Sequence, residues 1–293
     1  MEDIITKIQR ISFRTKVLII CMLITMIYIT ELSKTKVKSS GRKYEPGVVK
    51  EIIVKESDYI PKVIYKTGID EYGKVNEVLN TLFNNTLKKN PGFSLEYYSD
   101  TGARDFIKNN YNSEVLAAYD KLIPGAYKAD LFRYCVLYKR GGIYSDLSQR
   151  FQVPLTSIID FKNDKLVLVQ DVKHPNYRGP HINKMSGGIQ ISFMALRPKN
   201  EIYLRAIQEV VNNCKRNYIG WNPLSPTGPR LFQRLLNEYP RDDYKLELRE
   251  TGKFIVDKQN NIIIINKTNN HRSINLKNKE HYSSLWMRGA IYK

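Results

Sequence analysis

The chain has 293 residues, 42% hydrophobic and 11% aromatic, which is enough to bury a sizeable core and argues against wholesale disorder. Its formal net charge of +18 favours anionic partners: nucleic acid, a phosphorylated small molecule or an acidic membrane surface. Residues 1–59 hold 11 Lys and Arg against 7 Asp and Glu, so most of the charge lies on the remainder. No zinc-finger, leucine-zipper or RNP-like pattern accompanies it, so we expect no nucleic-acid partner.

Residues 17–30, VLIICMLITMIYIT, carry no charge and follow a basic segment. As a helix they would span about 21 Å, less than a hydrocarbon core of about 30 Å, so a buried helix, a cleaved signal peptide and a short uncleaved anchor are all open. The basic stretch that follows disfavours a core helix, and no small-residue cleavage site is present. We expect a tail at 1–16, an uncleaved transmembrane signal anchor at 17–32 and a stem or linker at 33–58.

This layout predicts a single-pass type II membrane protein of the Golgi or secretory pathway, with a folded domain at 59–293. Both flanks of the anchor are basic, so charge alone does not set its orientation. Two N-glycosylation patterns, beginning at Asn84 and Asn266, are compatible with a luminal domain.

Strand and helix patterns alternate along the folded part. The predicted strands cover residues 60–68, 94–100, 143–145, 165–171 and 261–266, and the predicted helices cover 75–92, 127–140, 201–216 and 229–239. A β-α-β order with polar residues at strand ends predicts an α/β fold with a largely parallel sheet. Ligands of such a fold bind at the carboxyl edge of the sheet.

The candidate catalytic side chains lie in the segment YKADLFRYCVLYKRGGIYSD, residues 127–146. It predicts an amphipathic helix that stops at the double glycine and a strand that delivers Asp146 to its carboxyl end. Asp130 and Arg133, three residues apart, share a face of the helix. Alone, they would be an ordinary surface ion pair and Asp146 a turn residue. Together they bring two carboxylates and a cation to one point, which suits sugar hydroxyls and, with a divalent cation, a diphosphate.

This segment resembles the core of glycosyltransferase family 32, the group with a sugar-binding region containing a DXD motif. The family includes initiating α-1,6-mannosyltransferases, inositolphosphoceramide mannosyltransferases and α-1,4-galactosyltransferases. The segments IPKVIYKTG, SPTGPRLFQRLL and HYSSLWMRG are similar to family segments in the same order, so the resemblance covers about residues 59–290. It implies a GT-A fold, a Rossmann-like nucleotide-sugar-binding domain with a mostly parallel central sheet, and hexose transfer with retention of configuration.

The resemblance also implies roles for individual residues. Asp130, Arg133 and Asp146 are the catalytic candidates: the first two would hold hydroxyls of the donor sugar, and Asp146 would contact ribose, sugar and metal. The implied donor-binding set is Tyr65, Thr67, Asp130, Arg133, Tyr144, Asp146 and Trp286. The implied metal set is Asp146, Ser148 and His281. No nucleophile is singled out, because front-face departure of the diphosphate does not require one. Metal and cations would stabilise the leaving diphosphate and an oxocarbenium-like sugar.

Ser148 departs from the family pattern, which usually reads Asp-x-Asp with the second carboxylate on the metal. A hydroxyl is a weaker ligand than a carboxylate, so we expect Mn²⁺ or Mg²⁺ to bind weakly. Two alternatives are that Lys or Arg side chains neutralise the diphosphate, or that activity has been lost.

The remaining cysteines and histidines suggest no metal site. Cys135 and Cys214 are expected to be buried free thiols rather than a disulfide, and their spacing fits no metal site. His174 and His181 fall in a Pro- and Gly-containing loop that we expect to be solvated.

The sequence therefore predicts a membrane-anchored retaining glycosyltransferase that moves a hexose from GDP-mannose or a UDP-hexose to a glycan, glycolipid or protein acceptor. A catalytically silent relative that binds a sugar or a partner is the alternative, and Ser148 favours it. A basic nucleic-acid or phosphoinositide binder is a third hypothesis, and it requires a contiguous charged face.

Overall fold

The computed structural model of the chain describes residues 57–68, 77–171, 188–266 and 280–293. Within these ranges no helix is both long enough and apolar enough to cross a membrane. The predicted tail, the predicted anchor, nearly all of the predicted stem, and the loop with His174 and His181 lie outside the described residues.

Nine strands and seven α-helices make up the described part. The strands are β1 (Val63–Thr67), β2 (Ser94–Tyr98), β3 (Gly142–Ser145), β4 (Arg150–Phe151), β5 (Leu166–Gln170), β6 (Ile189–Leu196), β7 (Lys245–Glu250), β8 (Phe254–Val256) and β9 (Ile262–Ile265). The helices are α1 (Glu77–Lys89), α2 (Asp100–Asn110), α3 (Ser113–Lys121), α4 (Gly125–Arg140), α5 (Glu201–Lys215), α6 (Pro229–Leu236) and α7 (Tyr282–Met287). Each of the nine predicted elements has a counterpart here.

The sheet is mixed, so the prediction of a mostly parallel sheet is wrong. Its strand order is β2-β1-β3-β6-β5-β7-β8-β9-β4. Only β1–β2, β1–β3 and β5–β7 pair in parallel, and the other five pairs are antiparallel. Strand β6 runs in reverse between β3 and β5, and short turns join β7, β8 and β9, which forces antiparallel pairing.

The strands that carry candidate side chains nevertheless end at one edge of the sheet. Strands β1 and β3 are parallel, and two antiparallel steps through β6 make β5 parallel to them. Strand β7 is parallel to β5, and two further antiparallel steps give β9 the same direction. Side chains at the carboxyl ends of β1, β3, β5, β7 and β9 are therefore brought to the same edge.

Both faces of the sheet are buried, each by its own layer. Helices α2 to α6 cover one face, where Tyr65 and Tyr144 of the sheet join the larger hydrophobic cluster. The smaller cluster, which includes Ile64 and Ile143, covers the other face. Successive residues of β1 and β3 therefore alternate between two apolar layers, as the period-two geometry of a strand requires.

The double glycine joins α4 to β3 as predicted. Gly141 caps α4 with a φ of 63°, and Gly142 follows with a φ of 93°, conformations that side chains other than that of glycine rarely adopt. A Cβ on Gly142 would also lie 2.9 Å from the carbonyl oxygen of Val63 in β1. The two glycines thus let the chain leave the helix and enter the middle of the sheet.

Two smaller predictions can be compared with the fold. Cys135 and Cys214 are buried free thiols, as expected. The amide of Asn266 is buried and takes part in two side-chain hydrogen bonds, so a glycan cannot be attached to Asn266 in the folded protein. Asn84 lies exposed in α1, whereas the hydroxyl of Thr86 in the same pattern donates a buried hydrogen bond to the Leu82 carbonyl.

Candidate functional site

Asp130, Arg133 and Asp146 meet at the carboxyl edge of the sheet. Arg133 Nη2 lies 3.2 Å from Asp130 Oδ1, and Arg133 Nη1 lies 3.5 Å from Asp146 Oδ1. Asp130 and Arg133 are buried, whereas the side chain of Asp146 is 41% exposed. The ion pair on α4 is therefore not a surface pair, and Asp146 is the open carboxylate of this charged triad.

Arg133 directs nearly all of its donors to the protein. Its Nη1 also donates to the carbonyl of Ile191 at 2.7 Å, and its Nε donates to the carbonyl of Ala129 at 3.2 Å. Its guanidinium also lies 4.4 Å from the centre of the Tyr144 ring. With five N–H groups in a fixed plane, Arg133 holds the two carboxylates in place and keeps at most one donor for a ligand.

Burial and the ion pairs set the charge of the triad. Burial raises the pKa of Asp130 to about 6, although Arg133 and the Thr227 hydrogen bond oppose the shift. Burial by itself would lower the pKa of Arg133, but Tyr144 and the two carboxylates raise it overall, so Arg133 stays charged. The triad therefore combines a charged guanidinium with two carboxyl groups, of which Asp130 is the one whose ionisation burial opposes.

The loop at 216–228 packs against α4 and supports the triad. Thr227 Oγ1 donates to Asp130 Oδ2 at 2.8 Å, and Tyr134 donates from its hydroxyl to the Thr227 carbonyl at 3.0 Å. Gly228 follows, and a Cβ there would lie 3.2 Å from Asp130 Oδ2. The sequence indicated this stretch only as a helix start, and 97 residues separate Thr227 from Asp130.

Asp146 and Ser148 are the oxygen donors available for a divalent cation. The Ser148 hydroxyl donates to the carbonyl of Asn266 at 3.1 Å, which leaves its lone pairs free to accept. Among the described residues, no group of three or more His, Cys, Asp or Glu side chains could hold a metal ion. One carboxylate and one hydroxyl fit a cation that takes its other ligands from a bound diphosphate and water, as Mg²⁺ commonly does.

His281 and Trp286 both belong to α7. His281 is exposed and caps the helix, because its Nδ1 accepts from the Ser283 backbone N–H at 3.3 Å. Trp286 is partly buried, and its Nε1 donates to the carbonyl of Ile219 at 2.6 Å. The neighbouring Tyr282 is within electrostatic range of Asp130: burial, followed by the Asp130 charge, raises its pKa. Helix α7 therefore flanks the triad, but His281 forms no ligand cluster with Asp146.

The three remaining donor-binding candidates, Tyr65, Thr67 and Tyr144, differ in how near their side chains lie to the triad. Tyr144 is buried beside Arg133 and forms a side-chain hydrogen bond with Asp146. Thr67 ends β1 at the carboxyl edge, where its hydroxyl donates to the Tyr98 carbonyl at 2.9 Å. Tyr65 is only 1% exposed and packs in the larger cluster against Tyr98, so the structure does not bring its ring to the site.

A buried polar network lies under Asp146 and was missed from sequence. Lys66 Nζ donates to Ser145 Oγ at 3.1 Å and to the Asp146 carbonyl at 2.9 Å, and Ser145 Oγ donates to Gln149 Oε1 at 2.8 Å. Gln149 Nε2 donates in turn to Asn266 Oδ1 at 2.9 Å. Burial lowers the pKa of Lys66 to about 7, against the opposing charge of Asp146. A lysine inside the apolar strand VIYKT was the available signal.

The network extends to two acidic side chains at the ends of β5 and β7. Asn266 Nδ2 donates to Glu250 Oε1 at 2.9 Å, and Glu250 shares a side-chain hydrogen bond with Asp171. Burial and the neighbouring Asp171 raise the pKa of Glu250 to about 7. The network fixes the backbone that carries Asp146 by joining the ends of five strands, β1, β3, β5, β7 and β9.

The family model and the two curated relatives that match this chain are all glycosyltransferases. Residues 76–164 match the family described as "Glycosyltransferase sugar-binding region containing DXD motif". An uncharacterized glycosyltransferase of Acanthamoeba polyphaga mimivirus is 40% identical over 184 residues, which cover 63% of this chain and 67% of that protein. Inositol phosphoceramide mannosyltransferase 3 of Schizosaccharomyces pombe is 33% identical over 100 residues, 33% of this chain and 26% of that protein.

Two solved structures are similar at lower identity. PaToxG glycosyltransferase aligns with a TM-score of 0.43 at 18% identity, over 61% of this chain and 70% of its own. Mouse xyloside xylosyltransferase 1 aligns with a TM-score of 0.37 at 10% identity, over 64% of this chain and 84% of its own.

Proposed function

The chain belongs to the glycosyltransferase family whose sugar-binding region contains a DXD motif, and we propose that it is a retaining hexosyltransferase using GDP-mannose or a UDP-hexose. The observation that carries this proposal is the charged triad, in which Arg133 joins Asp130 to the open carboxylate of Asp146. The triad lies at the carboxyl edge of the α/β sheet, where such sheets bind nucleotides. The mixed sheet fits a GT-A fold.

In this mechanism Asp146 is the group that contacts the donor. Arg133 holds Asp146 Oδ1 in place, and Tyr144 supports the same carboxylate from beneath. Because these partners limit the rotation of Asp146, its free oxygen is oriented before the donor arrives. Asp130 is buried and bonded to Thr227, so its main part is to position Arg133.

The charge of the triad bears on the cofactor. The open carboxylate of Asp146 and the diphosphate of a nucleotide-sugar are both anionic, so they repel each other unless a cation lies between them. Asp146 and Ser148 would hold Mn²⁺ or Mg²⁺ weakly, together with the diphosphate. Such a cation would supply positive charge to the leaving diphosphate.

The acceptor and the cellular setting form the second part of the proposal. The Schizosaccharomyces pombe relative is by name a mannosyltransferase acting on inositol phosphoceramide, which makes GDP-mannose and a glycolipid the first pair to test. Glycan and protein acceptors, an anchor at 17–32 and a type II topology in the Golgi or secretory pathway complete the proposal.

A donor screen tests the proposal. Thermal unfolding of the full chain is measured with GDP-mannose, UDP-glucose and UDP-galactose, each with and without Mn²⁺, and release of nucleoside diphosphate is followed in parallel. We expect one donor to stabilise the protein and to be hydrolysed faster with Mn²⁺. Binding without turnover in either condition would favour the catalytically silent alternative. With an accepted donor, proton NMR of the freshly released sugar should show the configuration of the donor.

A further inference from the structure

Most of the large exposed hydrophobic side chains lie around α7. Among the described residues, six large hydrophobic side chains are 40% exposed or more. Four of them, Ile123, Ile219, Trp221 and Met287, lie on α7 or on the two loops beside the segment that follows it. Trp221 is 62% exposed and Met287 is 72% exposed. We call these four residues the tryptophan face.

Hydrogen bonds tie the parts of this face together. The Ile123 N–H donates to the Ile291 carbonyl at 3.0 Å, which places the loop after α3 against the segment after α7. On the other side of that segment, the Tyr292 hydroxyl donates to the carbonyl of Tyr218 at 2.6 Å. The C-terminal segment thus runs between the loop after α3 and the loop at 216–228, and a concentration of exposed apolar side chains of this kind marks an interaction surface.

Basic side chains surround the tryptophan face. Residues 121–123, 213–221 and 280–293 contain five basic side chains and one acidic side chain. The five are Lys121, Lys215, Arg216, Arg288 and Lys293, and the acidic one is Glu280. Lys215 pairs with Glu114 of α3, Arg288 pairs with Glu280, and Lys293 lies near Asp120, so Lys121 and Arg216 supply the remaining net positive charge of this region.

The chemistry of this surface selects a lipid over a sugar. Three of the four side chains, those of Ile123, Ile219 and Met287, are apolar and offer no hydrogen-bond partner to sugar hydroxyls. Exposed tryptophan beside aliphatic and basic side chains is the composition of protein surfaces that rest in the headgroup region of bilayers. We propose that the tryptophan face docks on the surface of an anionic lipid bilayer.

Docking there would bring the charged triad close to the lipid. The loop at 216–228 carries both Trp221 and Thr227, and Thr227 bonds to Asp130 of the triad. The face and the site therefore share one loop, and an acceptor presented at the bilayer surface would be within reach. The inference itself rests on exposure and charge and does not depend on the proposed reaction.

Tryptophan quenching by brominated lipid tests the docking in the full chain. The chain has two tryptophans, Trp221 and Trp286, and both lie in this region, so their emission reports on it. The protein is reconstituted with vesicles of phosphatidylcholine alone, or of phosphatidylcholine and phosphatidylserine at about 7:3, each containing brominated phosphatidylcholine. We expect quenching in the anionic vesicles to be at least about twofold stronger, and to fall at about 0.5 M salt because bilayer charge attracts each basic residue only within a Debye length.

A double variant and a matched control locate the contact. I219S/M287S keeps both tryptophans and should lose most of the quenching, whereas I262S, which changes another exposed side chain on β9, should behave as the wild type. Circular dichroism checks that each variant is folded. Equal quenching in neutral and anionic vesicles, or full quenching in a folded I219S/M287S, would overturn the proposal. If the double variant fails to fold, the lipid and salt comparisons on the wild type decide.

Discussion

Asp146 stands out at the scale of single residues because it is the only member of the triad with an open side chain. Arg133 is surrounded by protein acceptors, and Asp130 is bonded to Thr227. A donor therefore meets Asp146 first, with Ser148 two residues further on. Substitution at either position should change ligand binding more than folding.

Ser148 gives the first prediction. In S148D a second carboxylate joins Asp146, so we expect Mn²⁺ to bind about tenfold more tightly in the presence of nucleoside diphosphate. In S148A the hydroxyl is lost, and Mn²⁺ affinity should fall several-fold. Titration of free Mn²⁺ by electron paramagnetic resonance measures both changes. Unchanged Mn²⁺ affinity in both variants would show that Ser148 does not face the cation.

The residues predicted correctly to meet were those close in sequence. Asp130, Arg133 and Asp146 lie within one helix-turn-strand unit, so local geometry was enough to place them together. Thr227 and Asn266 reach the same region only through the tertiary fold, and no local pattern indicated them. Tyr65 was predicted to border the nucleotide, but its side chain lies in the larger hydrophobic cluster. Both faces of β1 are buried, so its sequence shows no alternation of polar and apolar residues that would tell which face Tyr65 occupies.

At the scale of elements, nine of the sixteen helices and strands followed from local patterns, whereas the pairing of the strands did not. The double glycine predicted the end of α4 correctly. Both glycines have positive φ values, which other residues rarely adopt, so the helix ends there for a local reason. Strand β6 reverses between β3 and β5, and nothing in IQISFMAL carries the direction of its neighbours. The helices α2 and α3 were missed because their polar stretches, DTGARDFIKNN and SEVLAAYDK, have short apolar patterns.

Helix α4 carries a buried amine that should cost stability. Lys139 is only 5% exposed, and its Nζ has no hydrogen-bond partner among the described residues. Burial, together with the nearby Lys199, lowers its pKa. K139M keeps the aliphatic stem and removes the amine, so the free energy of unfolding should rise by about 1 kcal/mol in urea titration.

A second variant, K139A, separates the effect of the amine on stability from the effect of packing the aliphatic stem. K139A removes the same charge but also the stem, so it should be less stable than K139M by about 1 kcal/mol or more. A K139M protein less stable than the wild type would show that the amine has a favourable partner in the folded chain.

Glu250, at the carboxyl edge of the sheet, should make the stability of the protein depend on pH. Its pKa is about 7 in the folded protein against 4.5 for the ordinary side chain, so between these values the folded state holds a proton that the unfolded state has released. Its contribution to stability is therefore present below pH 4.5 and is lost as pH rises through 7. In E250Q the fall in unfolding free energy between pH 5 and pH 8 should shrink by about 1 kcal/mol, allowing for solvent screening.

Glu247 on the same strand is the matched control. Its hydrogen bond with Lys258 is the leading cause that lowers its pKa, so it is ionised in both states throughout this window. E247Q should therefore leave the difference between pH 5 and pH 8 unchanged. The same slope in E250Q and the wild type would contradict the raised pKa of Glu250.

At the scale of the whole molecule, composition indicated an anionic partner but not where it binds. The net charge of +18 is spread along the chain, whereas the triad holds two carboxyl groups against one guanidinium, with the buried amine of Lys66 beneath Asp146. We expect the donor to bring a cation to the site, and Lys121 and Arg216 beside the tryptophan face, which form no ion pair among the described residues, to meet a different anionic surface. This division of charge depends on the tertiary fold, so no count of residues could have revealed it.

Asp146→Asn offers the most direct test of the central claim, that the triad is the donor site of a glycosyltransferase. The rate of nucleoside diphosphate release is measured for wild type and D146N with Mn²⁺ and the donor that most stabilises the wild type. The amide keeps the size of the side chain but removes the open charge, so we expect a loss of about 100-fold or more, with an unchanged circular dichroism spectrum. Undiminished release by D146N would contradict the account.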